Sequence, residues 1–75
     1  MNLQTDSMKM AFASGHDTAQ MKGVFGAGDN DYCAEDEHHT AWKAGFKSGM
    51  EGQSLPADCA EVYRKNCMTL VPQSL

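Results

Sequence analysis

The sequence predicts an all-α fold: a small array of three to four short helices around one long central helix. Three observations lead there. Apolar residues recur at i, i+3, i+4 in three separate places: Met8, Ala11 and Phe12; Met21, Val24 and Phe25; Cys59, Val62 and Tyr63. A longer ladder of His38, Trp42, Phe46 and Met50 carries the only tryptophan, with Ala41, Gly45 and Gly49 beside it. Glycine, asparagine, aspartate or proline punctuates the chain between these segments. Seventy-five residues make a single domain whose core is small, so its stability is marginal or shared with a partner. The balance of 41% hydrophobic and 21% charged residues places it among globular chains rather than disordered ones.

Residues 1–6 carry little pattern and read as a flexible start. Asp6 or Ser7 suits a helix N-cap, because its side-chain oxygen takes an orphan backbone N–H. Met8, Ala11 and Phe12 then share one face, and Gly15 reads as a left-handed stop. Asp17 or Thr18 restarts a second helix, carrying Met21, Val24 and Phe25 and ending at Gly28. Gly23 and Gly26 lie inside it and cost about 1 kcal/mol each relative to alanine. Their presence suits close approach to the central helix.

The stretch from Asn30 to Gly52 organises the rest. It reads as one long amphipathic helix entered from an acidic turn, its His38–Trp42–Phe46–Met50 ladder packing against the Phe12 and Phe25 helices. Glu35, His39, Lys43 and Lys47 form the wet stripe, with the acid N-terminal and the lysines C-terminal, as the helix dipole favours. Residues 7–52 form one helical unit. Gln53 to Pro56 is a linker into an extra C-terminal helix within 53–68, Asn66 offers a left-handed stop, and 69–75 reads as a tail.

Lys9, Phe12, Ser14 and Gly15 recur as Lys43, Phe46, Ser48 and Gly49, and in part as Lys22, Phe25 and Gly28. A basic residue, one aromatic anchor and a glycine are also what any short helix end favours. The spacings between the copies are unequal, 13 and then 21 residues, which favours that explanation over internal duplication.

Net charge is −4, which disfavours phosphate-backbone binding as the main source of affinity. MNLQTDSMKM lacks the pattern of a signal peptide, and no apolar run approaches the roughly 20 residues that span a bilayer, so the expected location is cytoplasmic. Three cysteines make no disulfide framework. Cys59 and Cys67 on one helix would be separated by about 12 Å of rise, so all three are expected reduced.

The reactive motifs are weak. Cys33, His38, His39, Cys59 and Cys67 include zinc ligand types but no paired spacing, and His38 and His39 point about 100° apart on a helix. Gly23–Gly28 reverses the dinucleotide fingerprint, with no strand before it. The acids do not follow a calcium-loop order. Cys33 near His38 is only a pairing of residue types. The expectation is a non-enzymatic protein without metal or cofactor.

Asn30-Asp31-Tyr32 followed by Glu37-His38-His39-Thr40-Ala41-Trp42-Lys43-Ala44-Gly45-Phe46 resembles the ribosome modulation factor family, which has an A-x-x-x-G first helix, a turn and a Trp-x-x-Gly-Trp second helix. By that resemblance the first helix spans Ala11 to Gly28, the turn Asp29 to Cys33, and the signature is Trp42, Gly45 and Phe46. Asp31 stands where the family prefers proline, Phe46 replaces the second tryptophan, and this chain is acidic where the ribosome-binding members are basic. The resemblance implies a two-helix architecture, with ribosome binding through Lys43, Lys47, Arg64 and Lys65. Short relatives in phages and plasmids, one linked to fluoroquinolone modification, imply a third reading as a small drug- or nucleotide-modifying enzyme.

The residues favour a binding protein, an inhibitor or adaptor of phage or mobile-element type that docks on a host protein or ribonucleoprotein complex. Asp29, Asp31, Glu35, Asp36 and Glu37 put five acids into nine residues, an anionic knob for a basic surface or simply a solvated helix start. Trp42, Phe46 and Tyr63 are the expected aromatic anchors.

Overall fold

The computed structural model describes the backbone of residues 5–70 and the side chains of residues 5–65. It is mostly helical, with no strand among the described residues. Helix α1 spans Asp6–Lys22, α2 Glu37–Met50 and α3 Ala57–Leu70; a 3-10 segment, Gly23–Asp29, follows α1 directly. The expected tail, 71–75, and positions 1–4 of the expected flexible start lie outside the described residues.

Helix α1 begins earlier and runs further than the residue pattern predicts. Thr5 caps it, its hydroxyl accepting from the Met8 N–H at 3.2 Å, with Asp6 in the first turn and Lys22 in the last. The helix does not stop at Gly15 or restart at Asp17 or Thr18. It ends at Gly23, whose N–H still makes a helical bond to the Ala19 carbonyl and whose positive φ of 60° turns the chain that follows off the helix path.

Gly15 serves packing instead. A β-carbon there would overlap the Trp42 carbonyl, and one on Gly45 would overlap the carbonyl of Phe12. Gly49 approaches the His16 carbonyl in the same way, one turn further along. Phe12 meets Gly45 and His16 meets Gly49, so the contacts advance in one direction and α1 and α2 run parallel. Each carries a small-residue stripe, Ala11-x3-Gly15-x3-Ala19 on α1 and Ala41-x3-Gly45-x3-Gly49 on α2, and the backbones meet along it. Ala11 and Ala41 are completely buried.

The geometry also picks out a repeat register. Gly15 faces the residue three before Gly45, and Gly45 faces the residue three before Gly15. Under this near-twofold relation Ala11-Phe12-x2-Gly15 matches Ala41-Trp42-x2-Gly45, an offset of 30 residues (45 − 15). The Lys-Phe-Ser-Gly alignment uses a different offset, which the packing does not follow.

Trp42 is buried with Ala11 and Ala41, and Phe46 packs on the cluster with its ring stacked on the indole at 5.3 Å and 11°. Pro56 leads directly into α3, accepting from the Ala60 N–H at 2.9 Å, and α3 continues past Asn66 to Leu70. Both α2 and α3 pack on α1, and among the described residues they do not pack on one another. The longest described helix, α1, is therefore the shared packing surface, while α2 occupies 14 of the 23 residues of the Asn30–Gly52 stretch.

The segment carrying Phe25, expected to pack against the central helix, touches α2 through Gly26, while Phe25 itself stands 89% exposed. The 3-10 geometry explains this. With three residues per turn, Gly23, Gly26 and Asp29 share one row, and Gly26 is the residue turned inward, beside Thr18, Lys22 and Phe46. Val24 and Phe25 then point outward.

Candidate functional site

Residues 30–36 bring the chain back to the start of α2. Asn30 donates from its amide to the His39 carbonyl at 3.1 Å, and its side-chain oxygen accepts from the Tyr32 N–H at 3.2 Å. The His39 ring nitrogen Nδ1 lies 3.0 Å from the Tyr32 carbonyl. Asp36 is the N-cap of α2, its carboxylate accepting from the His38 N–H at 2.9 Å. That backbone bond, and then the bond to the His38 ring, hold the Asp36 carboxyl below its usual range.

The acidic knob is thus partly committed to the fold. Asp36 caps α2, and Asp29 pairs with Lys22 at 2.6 Å. Asp31, Glu35 and Glu37 stand exposed around the turn. Immediately before them in the chain, Met21 (75%), Val24 (65%) and Phe25 (89%) are the most exposed large apolar residues described. Three exposed apolar side chains thus precede the exposed acids of the turn in the chain.

The expected aromatic anchors lie elsewhere. Trp42 is a core residue, 4% exposed. Phe46 is half-buried against it. Tyr63 is half-buried, and its hydroxyl donates to the Asp17 carboxylate at 3.3 Å, tying α3 to α1. Sequence periodicity identifies which aromatics share a face, but the same face serves a core or a partner equally well. The exposed apolar trio was hidden because Met21, Val24 and Phe25 have helical spacing, and Gly23 breaks that helix.

An open groove of about 710 Å³ runs beside α2, lined by Ala27, Ala34, Trp42 and Phe46, with Lys43 and Lys47 at its rim. Arg64 and Lys65 are also exposed, but Lys65 lines a separate hollow with Asp6, Lys9, Asp58 and Glu61. The two lysines of α2 and the basic pair of α3 do not converge, because α3 does not pack on α2.

Two further features were missed from sequence. His16 is buried, and its Nε2 lies 2.7 Å from the Gln53 carbonyl, fastening the α2–α3 linker to α1. Ser7, His38 and Asp36 form a chain of short contacts: Ser7 Oγ to His38 Nε2 at 2.7 Å, and His38 Nδ1 to Asp36 Oδ1 at 2.7 Å. The Asp-x-His spacing of positions 36 and 38 is a visible signal, but nothing in sequence pairs it with a serine 31 residues away.

Cys33 is exposed, Cys59 is buried, and both are free thiols. Among the described residues no group of three His, Cys, Asp or Glu side chains gathers as a metal site, and no helix is long and apolar enough to cross a membrane. Comparison with family models, curated proteins and solved structures gives no match.

Proposed function

We propose that this chain is a small docking module, an inhibitor or adaptor that seats its 3-10 segment on a partner protein. The observation that carries this reading is Phe25, 89% exposed, flanked by Met21 and Val24 at 75% and 65%. A short 75-residue chain that buries little core has reason to keep three large apolar side chains in water only where something else covers them. The exposed acids that follow in the chain, Asp31, Glu35 and Glu37, select the partner's chemistry: a protein surface with an apolar recess rimmed by lysine or arginine. Apolar burial supplies the affinity and the acids supply encounter rate and orientation.

The test compares affinity capture by wild type, Phe25→Asp and the triple variant Asp31→Asn, Glu35→Gln, Glu37→Gln, followed by calorimetry with the captured protein. Phe25→Asp is expected to weaken binding at least tenfold, and the triple variant to flatten its salt dependence. A partner bound equally well by Phe25→Asp would overturn the reading. Ribosome binding, the alternative that the family resemblance implies, is tested by sucrose-gradient sedimentation. There Lys43→Ala with Lys47→Ala would abolish co-migration, while Phe25→Asp would not.

A further inference from the structure

The Ser7–His38–Asp36 chain joins the beginnings of two parallel helices, and no part of the docking surface uses it. Asp36 accepts from both the backbone N–H and the ring of His38. A carboxylate on Nδ1 places the ring proton there and leaves Nε2 with its lone pair facing Ser7 Oγ, 2.7 Å away. Tyr32 stacks on the imidazole at 5.4 Å and 25°, fixing the ring plane and covering one face. Ser7 itself is exposed, so an incoming molecule reaches its hydroxyl. Thr5 Oγ1, 3.3 Å from Ser7 Oγ, is engaged by the Met8 N–H. Ser7 follows Asp6 in the first turn of α1, where the Met8 N–H is held by Thr5 Oγ1 and the Lys9 N–H by the Thr5 carbonyl.

We propose that Ser7 is an activated nucleophile, with His38 as its general base and Asp36 as the positioning residue, acting on small acyl donors with a good leaving group such as aryl esters. Ser7 Oγ attacks the carbonyl carbon and its proton passes to His38 Nε2. The tetrahedral adduct collapses, the carbon–oxygen bond to the phenol breaks, and the phenolate takes that proton. Water then attacks the acyl-serine, giving one proton to His38 Nε2. The carboxylic acid leaves and the proton returns to Ser7 Oγ. Atoms and protons balance with water as the only co-reactant. The exposure of Ser7 limits the substrate to small, reactive esters.

A purely mechanical tie between the two helix ends would need the same hydrogen bonds but no nucleophilicity, and the experiment separates the two. The purified chain is treated with a fluorophosphonate probe and mapped by mass spectrometry, and p-nitrophenyl acetate turnover is followed in parallel. One probe per chain at Ser7 is expected, with none on Ser7→Ala. His38→Ala is expected to slow labelling about a hundredfold, and added imidazole to restore part of the rate, a rescue that a structural role would not show. Asp36→Asn keeps a capping oxygen and is expected to slow labelling at unchanged circular dichroism. No labelling of folded wild type, or labelling that His38→Ala leaves unchanged, overturns the proposal. Should His38→Ala fail to fold, the absence or presence of Ser7 labelling on wild type still decides.

Discussion

Gly15 and Gly45 mark the crossing of α1 and α2, each lying where the other helix presents the carbonyl three residues before its own glycine. Neither position has room for a β-carbon, and the obstructing atoms belong to backbone, which cannot rotate away. Close packing here offsets the cost of about 1 kcal/mol that glycine carries inside a helix.

Alanine at Gly15 or Gly45 is therefore expected to destabilise the fold by about 1–3 kcal/mol, the range for forced overpacking, despite alanine's better helix propensity. Gly28→Ala is the control, since a β-carbon there meets nothing within 4 Å. Urea unfolding followed by circular dichroism checks both, and equal midpoints for Gly15→Ala and Gly28→Ala would refute the crossing geometry.

His16 is 4% exposed and bonds the Gln53 carbonyl at 2.7 Å. Replacing it with leucine removes that partner and is expected to cost about 1–3 kcal/mol. The linker at 53–56 should also open to protease before the rest of the chain. Limited proteolysis read by mass spectrometry would show cleavage there first in the variant and not in wild type.

Acid should loosen the start of α2. The folded Asp36 carboxyl titrates lower than it does in the unfolded chain, chiefly because of the His38 backbone N–H. Its contribution is thus present above the unfolded value, about pH 4, and disappears as pH falls through the lower folded value. Asp36→Asn has no such titration, so its loss of helicity below about pH 4 should be shallower than that of wild type. Parallel acid limbs for the two proteins would contradict this.

Cys33 and Cys59 should differ sharply toward an alkylating reagent. Cys33 is exposed, whereas Cys59 is fully buried, and burial followed by the neighbouring Asp58 pushes its thiol above the ordinary range. Iodoacetamide should modify Cys33 within the native state and Cys59 only on unfolding. Equal rates at the two positions in native protein would show that α3 does not hold its place on α1.

Much of the helical framework was legible in the residue pattern. The Trp42–Phe46 ladder with Ala41, Gly45 and Gly49 beside it marks a face on which backbones come close, and α2 packs with that face. The Cys59, Val62, Tyr63 spacing marks α3, with Cys59 inward. The Met21, Val24, Phe25 spacing misled. Periodicity assumes 100° per residue, and that assumption fails once Gly23 takes positive φ and the chain tightens to 3-10. The Ser7–His38 contact spans 31 positions and has no local signature at all.

Local chemistry alone specified helices, their small-residue stripes and the acid cluster at the start of α2, because capping and side-chain spacing act within one or two turns. Tertiary structure decided what each glycine is for. Gly15 and Gly23 have the same intrinsic preferences, yet one admits a neighbouring backbone and the other ends the helix. That choice depends on whether another helix arrives at the site, and the parallel course of α1 and α2 brings one to Gly15 and leaves Gly23 in open space.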